Sequence, residues 1–315
     1  MAVFDVFNGD ADGVISLVQL RRACPRPEAT LVTGRKRDIN LLDRVKTKKG
    51  DHVTVLDVSM RSNMDDLKRI LKSGASVFYA DHHNAGDMPE HKNLHAAIDT
   101  SPEICTALII DDCLEGAYRA WAVTAAFGDN FPKIAKAKAA GLDLPLDQLE
   151  RLGMLVNYNG YGAGVEDLHF HPADLYKALA PFDTPMEFLK GGKQVFDKLN
   201  NGYESDLATA QNSKVLDESH KGLVIELADA ASSRRISGMY GNQLAQENPD
   251  RAHAVLTRNG DSYVVSVRAP LSNRTGADEL CFKFETGGGR SAAAGINVLP
   301  ERDVDRFIDA FIGAF

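Results

Sequence analysis

Short β-type runs alternate with helical spacing through the first hundred residues. Val3–Phe7, Ala29–Thr33, His52–Val58, Ala75–Ala80 and Leu94–Ile98 read as strands, rich in β-branched and aromatic residues. Between them, Val14–Ala23 and Asn63–Lys72 repeat apolar residues at helical spacing. Strands separated by helices predict an α/β fold built on a doubly wound, mainly parallel sheet. In such sheets ligands bind beyond the carboxyl ends of the strands.

The rest of the chain divides in two. Glu103 to about Ala210 is mainly helical, punctuated by Pro132, Pro145, Pro172 and Pro185, with one irregular stretch at Asn157–Gly164. From Leu223 the β-type runs return at Leu223–Leu227, Ala252–Thr257, Ser262–Arg268 and Ala293–Val298, interleaved with helical segments Ile236–Ala245 and Val304–Phe315. This predicts a first domain over 1–205, a polar linker over 206–220 and a smaller α+β domain over 221–315, with a cleft between the domains. A chain of 315 residues also fits two domains at ~150 residues each.

Charge narrows the partners. Lys and Arg total 36 against 44 Asp and Glu, a net charge of −8. Proteins that coat long nucleic acid carry basic stripes, so this balance disfavours a long duplex partner but leaves room for a short anion in a local pocket. The four cysteines show no metal-type spacing and read as isolated reduced thiols. With no signal-like N-terminus and no run of ~18 apolar residues, the expectation is a cytoplasmic protein with no membrane partner.

Chemistry gathers at the predicted strand ends. Asp10 and Asp12 lie in Asn8-Gly-Asp-Ala-Asp-Gly13 after the first strand. Asp57 closes the third, and Asp81-His82-His83 follows the fourth. If the strands are parallel, these side chains meet at one sheet edge and repel unless cations neutralise them. Hard oxygen ligands with one imidazole suit Mg²⁺ or Mn²⁺. Asn8–Gly13 also fits the start of a calcium loop, but position twelve of that loop is Gln19 rather than Glu, and a strand precedes it. Taken singly, Asp10 and Asp12 could be helix caps, and Asp57 an ordinary loop residue. Adjacent His82 and His83 cannot easily face one ion, so one reads as a ligand and the other as a supporting or substrate group.

With these motifs the sequence resembles the DHH phosphoesterase family, in the branch carrying a DHH-associated C-terminal domain and including oligoribonucleases, nanoRNases and linear-dinucleotide phosphodiesterases. Asn8–Gly13 matches the first motif, Asp57 the second, Asp81-His82-His83 the third and Ala125-Ala-Phe-Gly-Asp129 the fourth. Gly287-Gly-Gly-Arg-Ser-Ala-Ala-Ala-Gly295 resembles the glycine motif of the C-terminal domain, and Ser266-Val-Arg268 the strand before it. The resemblance implies two Mn²⁺ or Mg²⁺ ions held by Asp10, Asp12, Asp57, His82 and Asp129, with Asn8 a further candidate. It implies catalytic roles for His83 and Asp81. Three positions depart from the pattern: Val6 where some members have histidine, Asn8 where others have aspartate, and Arg290 where the glycine motif usually ends in histidine.

Candidate substrate residues are Asn84, Tyr161, Arg268, Gly287, Gly288, Gly289 and Arg290. A tri-glycine turn lets backbone N–H groups approach an anion, and arginine offers a bidentate fork for phosphate. Tyr158 and Tyr161, set among glycines, suit base stacking as well as they suit an ordinary loop. His169 and His171 would share one strand face, a weak zinc signal. The expected activity is hydrolysis of short linear oligonucleotides, above all 5′-phosphorylated dinucleotides such as pGpG or nanoRNA, to nucleoside monophosphates by water activated between two ions. The alternatives are a single-strand exonuclease on longer chains, a 3′-phosphoadenosine phosphate phosphatase, and a non-catalytic nucleotide-binding scaffold. Oligomeric state is left open, a homodimer included.

Overall fold

The computed structural model describes residues Met1–Phe315. The chain forms two compact units, Met1–Asn201 and Gly202–Phe315. The first contains β1 (Val3–Phe7), α1 (Ala11–Ala23), β2 (Thr30–Val32), β3 (His52–Leu56), α2 (Met64–Lys72), β4 (Ser76–Asp81) and β5 (Leu94–Ile98). Seven helices follow: α3 (Thr106–Cys113), α4 (Arg119–Gly128), α5 (Pro132–Lys138), α6 (Leu146–Tyr158), α7 (Pro172–Leu179), α8 (Pro185–Gly191) and α9 (Lys193–Gln211), the last running past Asn201.

The five strands form one parallel sheet in the order β2-β1-β3-β4-β5. Val6, Val53, Val55, Val77 and Tyr79 pack on one face with Leu67, Ile70 and Leu71 of α2. α1 and α3 contact strands of the same sheet. The chain leaves β1 to one side for β2 and returns on the other for β3. The carboxyl ends of β1 and β3 therefore flank the switch point where such sheets bind ligands.

Helix packing behind this edge depends on two glycines. A Cβ on Gly153 of α6 would lie 2.0 Å from the Thr124 carbonyl oxygen of α4, and one on Gly128 would lie 2.6 Å from the Gly153 carbonyl oxygen. The two helices thus touch backbone to backbone. The same Gly128 Cβ would meet the Ala11 methyl of α1 at 2.5 Å. This contact sets α4 close against the start of α1, with Asp129 at its C-terminal end.

The second unit contains β6 (Lys214–Glu218), β7 (Gly222–Leu227), α10 (Ala231–Glu247), β8 (Ala252–Asn259), β9 (Ser262–Arg268), α11 (Ala277–Cys281), β10 (Gly287–Arg290), β11 (Ala293–Pro300) and α12 (Val304–Ala314). Its mixed sheet runs β10-β11-β9-β8-β7-β6, with only β7 and β8 parallel. Val224, Leu256, Val265, Val267 and Ile296 pack with Leu280, Phe307 and Phe311 of α11 and α12.

Two sequence expectations are corrected here. The 206–220 segment is not an open linker, because it holds the last turns of α9 and edge strand β6. The tri-glycine run is not a turn but strand β10, pairing Gly287 with Ile296, Gly288 with Gly295 and Gly289 with Ala294. A Cβ on Gly287 would lie 1.8 Å from the Cys281 carbonyl oxygen, so α11 requires glycine there.

His253 of β8 is fully buried, and burial, with the Arg251 charge adding to it, pushes its imidazole down to about 4. Between that value and the ordinary 6.5 the unfolded chain binds a proton that the folded chain does not. Stability from this group is therefore complete above pH 6.5 and falls as pH drops toward 4. Denaturation of wild type and His253→Leu across this range should show about 2–3 kcal/mol more acid loss in wild type. Parallel curves would contradict the assignment. Helical Gly→Ala substitutions usually stabilise, but Gly153→Ala should destabilise by about 1–3 kcal/mol in urea unfolding. A gain in stability would show that the backbone contact is not tight.

Candidate functional site

Asp10, Asp12, Asp57, Asp81, His82, His83 and Asp129 converge at the carboxyl edge of the parallel sheet. Asp10 is the N-cap of α1, and its Oδ1 accepts from the N–H groups of Asp12 and Gly13 at 3.1 Å each. Asp12, in the first turn of the helix, accepts at both carboxylate oxygens, from the N–H of Thr106 and of Ala107, each at 2.7 Å. These donors are the first residues of α3, where N–H groups lack helical partners and favour negative charge. Asp57 follows β3 with φ +57°, a left-handed conformation uncommon for a non-glycine residue and typical of functional sites. That kink ends β3 at Leu56, short of the expected Val58.

The two histidines are held differently. His82 Nδ1 donates to the Ile104 carbonyl oxygen at 2.9 Å, which leaves the Nε2 lone pair free. His82 Nε2 lies 3.6 Å from Asp57 Oδ1 and 3.9 Å from both Asp12 Oδ2 and Asp129 Oδ2. His83 Nδ1 donates to Asp81 Oδ1 at 2.7 Å. That hydrogen bond raises the His83 pKa against the opposing effect of burial.

Electrostatics show the strain of this gathering. Burial, followed by the charges of Asp12, Asp10, Asp129 and Asp81, pushes the Asp57 carboxyl well above its usual range. Burial and Asp12 raise Asp129 to about 7. Burial acts the same way on Asp10, but the Lys36 ammonium at 2.6 Å from its Oδ2 outweighs it and holds Asp10 low.

The donor set fits divalent cations. Two groups, Asp12-His82-Asp129 and Asp57-His82-His83, each bring their ligand atoms within 4.8 Å of one another and share His82. Carboxylate oxygens around one imidazole lone pair are the chemistry that Mn²⁺ and Mg²⁺ accept. Asn8 lies at the rim, its Nδ2 donating to the Lys36 carbonyl oxygen at 3.3 Å and its buried Oδ1 without a partner.

The other sequence-selected residues are placed elsewhere or differently. Asn84 is a turn residue whose Oδ1 accepts from Gly86 N–H. Tyr158 is fully buried and bonded through its hydroxyl to His169 Nε2 at 2.8 Å, so it is not a stacking surface. Tyr161 is half-buried, with the Lys36 ammonium 5.7 Å from its ring centre. His169 and His171 share no strand, since His171 caps α7. In the second unit, Arg290, Ala293 and Arg268 are cross-strand neighbours, which puts both arginines on one face, about 10 Å apart at normal strand spacing. The Arg268 guanidinium is tied to Asn242 Oδ1, Ser266 Oγ and the Gly238 carbonyl oxygen, whereas Arg290 is exposed.

Three contributors escaped the sequence reading: Lys36, Thr106 and Ala107. The strand-end rule that selected the aspartates also reaches Gly34-Arg35-Lys36-Arg37, just beyond β2, and could have selected Lys36.

No protein-family model matches the chain, and no curated protein matches it in sequence. Solved structures do match. A manganese-bound exonuclease RecJ superposes with a TM-score of 0.65 at 14% identity, covering 99% of this chain and 90% of that one. The DHH domain of a protein described as a member of a ribosomal-protein family gives 0.62 at 14% identity, covering 99% and 86%. A pGpG-specific phosphodiesterase from Vibrio cholerae gives 0.57 at 16% identity, covering 99% and 98%. This chain has the fold of DHH proteins. It combines a mainly parallel sheet unit with a smaller mixed-sheet unit. No helix is long and apolar enough to cross a membrane.

Asp57→Asn keeps a residue that tolerates the left-handed backbone while removing one buried like charge. Without divalent ions the variant should melt a few degrees above wild type, since ~1 kcal/mol moves a domain of this size by ~2–4 °C. Wild type should gain about 2.7 kcal/mol from Mn²⁺ at a hundredfold excess over Kd, and the variant should lose most of that gain. Thermal melts with and without Mn²⁺ read both effects. An ion-free variant less stable than wild type would count against repulsion at Asp57.

Proposed function

We propose that this chain is a metal-dependent DHH-type phosphodiesterase that hydrolyses short linear oligonucleotides to nucleoside monophosphates. Its preferred substrates in this reading are 5′-phosphorylated dinucleotides such as pGpG, and nanoRNA. The observation that carries the reading is the cluster around His82 Nε2: buried carboxylates and one oriented imidazole at the switch point of a parallel sheet. Near end-to-end likeness in fold to a pGpG-specific phosphodiesterase supports the substrate class.

In this reading Asp10, Asp12, Asp57, His82 and Asp129 hold two Mn²⁺ or Mg²⁺ ions, with Asn8 at the rim. Bound ions would supply Lewis acidity and an activated water for in-line displacement at phosphorus. The N–H groups of Thr106 and Ala107 fix both oxygens of Asp12, so its position needs no rearrangement during the reaction. Asp81 keeps the proton on His83 Nδ1 and favours the charged ring, and His83 Nε2–H is then a donor for the phosphoryl oxygen where charge builds. Arg290 and Arg268 offer guanidinium forks for a substrate phosphate, and Tyr161 and Asn84 are further substrate-binding candidates. Gly287, Gly288 and Gly289 keep the strand beside Arg290 free of side chains.

A second reading, a single-strand exonuclease, rests on the likeness in fold to RecJ. One assay separates the two: Mn²⁺-dependent turnover of 5′-phosphorylated RNA from two to about ten nucleotides, with G and A dinucleotides included. The dinucleotide reading expects kcat/KM to fall at least about tenfold between the dinucleotide and the longest chain. Arg290→Ala should raise KM for the 5′-phosphorylated dinucleotide far more than for its dephosphorylated form. Rates that rise with chain length favour the exonuclease, and no hydrolysis with Mn²⁺ or Mg²⁺ refutes both.

A further inference from the structure

Lys36 reaches into the acidic cluster from the segment after β2. Its Nζ lies 2.6 Å from Asp10 Oδ2, 3.5 Å from Asp129 Oδ1 and 3.2 Å from Asn157 Oδ1. The first contact is made at Asp10 Oδ2. Asp10 Oδ1 already accepts the N–H groups of Asp12 and Gly13 as the cap of α1. An ion that Asp10 holds through Oδ2 meets the ammonium there. Consistently, the two groups able to hold an ion draw on Asp12, Asp57, His82, His83 and Asp129 but not on Asp10.

We propose that Lys36 is a resident counter-cation that gates ion loading. Its ammonium neutralises Asp10 and Asp129 in the ion-free chain, and the ion that uses Asp10 binds last and most weakly because it must displace that ammonium. The ammonium has somewhere to go. The Lys36 backbone is anchored by its N–H to the Gly160 carbonyl oxygen at 2.9 Å, while Asn157 Oδ1 and the Tyr161 ring lie beside the side chain. The side chain can leave Asp10 without moving the chain beneath it. The inference rests on reading the cluster as an ion site, and it concerns occupancy rather than the reaction.

The test is a Mn²⁺ titration of the full chain without substrate, followed by calorimetry and by loss of the free-ion paramagnetic resonance signal. It compares wild type, Lys36→Met, Lys36→Gln and Lys36→Arg. Removing the ammonium should tighten the weaker site at least about tenfold in both neutral variants, equivalent to ~1.4 kcal/mol of relieved competition and repulsion. Lys36→Arg keeps the charge and should stay near wild type. A merely structural lysine gives the opposite result, since loosening the site weakens ion binding. Wild-type or weaker affinity in both neutral variants overturns the gate, as does an arginine variant that binds as tightly as methionine. If no variant binds Mn²⁺, the ion-site reading falls as well, so failure of the gate alone remains distinguishable.

Discussion

Five aspartates, Asp10, Asp12, Asp57, Asp81 and Asp129, share one edge of the parallel sheet, and four of them are almost completely buried. Keeping like charges this close in a poorly solvated place is unfavourable, and the high pKa values of Asp57 and Asp129 express it. Much of the local architecture offsets the repulsion. The start of α1 receives Asp10, the start of α3 receives Asp12, and Lys36 brings a full positive charge. Two helix N-termini aimed at one spot follow from the winding of the chain, because helices that leave a parallel sheet begin at the carboxyl ends of its strands. The same topology that concentrates the acids supplies the dipoles that tolerate them.

The α/β architecture was legible because its strands are short apolar runs bounded by turn residues. Val3–Phe7 and Leu94–Ile98 match their expected limits. The gathering of Asp10, Asp12, Asp57 and His82 was legible for a related reason, since residues that end parallel strands must meet. The missing parts depend on contacts between distant segments. Nothing local marks Gly153 as the point where α6 touches α4, because glycine within a helix carries no sign of what lies opposite. Thr106 and Ala107 act through backbone N–H groups, which any residue type provides. The glycine run read as a turn because glycine has neither a β-propensity nor a side chain to alternate, yet cross-strand pairing with β11 makes it a strand. Likewise β6 lies in a polar run because its residues are mostly exposed at the sheet edge, where solvent accepts them.

Composition and site point in opposite directions only when charge is summed over the whole molecule. The net charge of −8 repels long polyanions that come within about a Debye length, ~8–10 Å, of the surface. Inside the site the balance is local, and the five carboxylates are met by Lys36, His83 and any bound cations. In the reading proposed above, a dinucleotide, which carries only a few charges, meets the least of this repulsion.

The adjacent histidines show how neighbouring residues acquire different chemistry. Both are held at Nδ1, which fixes the proton there and leaves Nε2 for other work. A neutral carbonyl, that of Ile104, holds His82 at Nδ1 and leaves the Nε2 lone pair facing carboxylates. A buried carboxylate, Asp81, holds His83 and favours the charged ring, turning its Nε2 into a donor. One histidine is suited to cations and the next to anions, and the difference lies in the acceptor behind each ring.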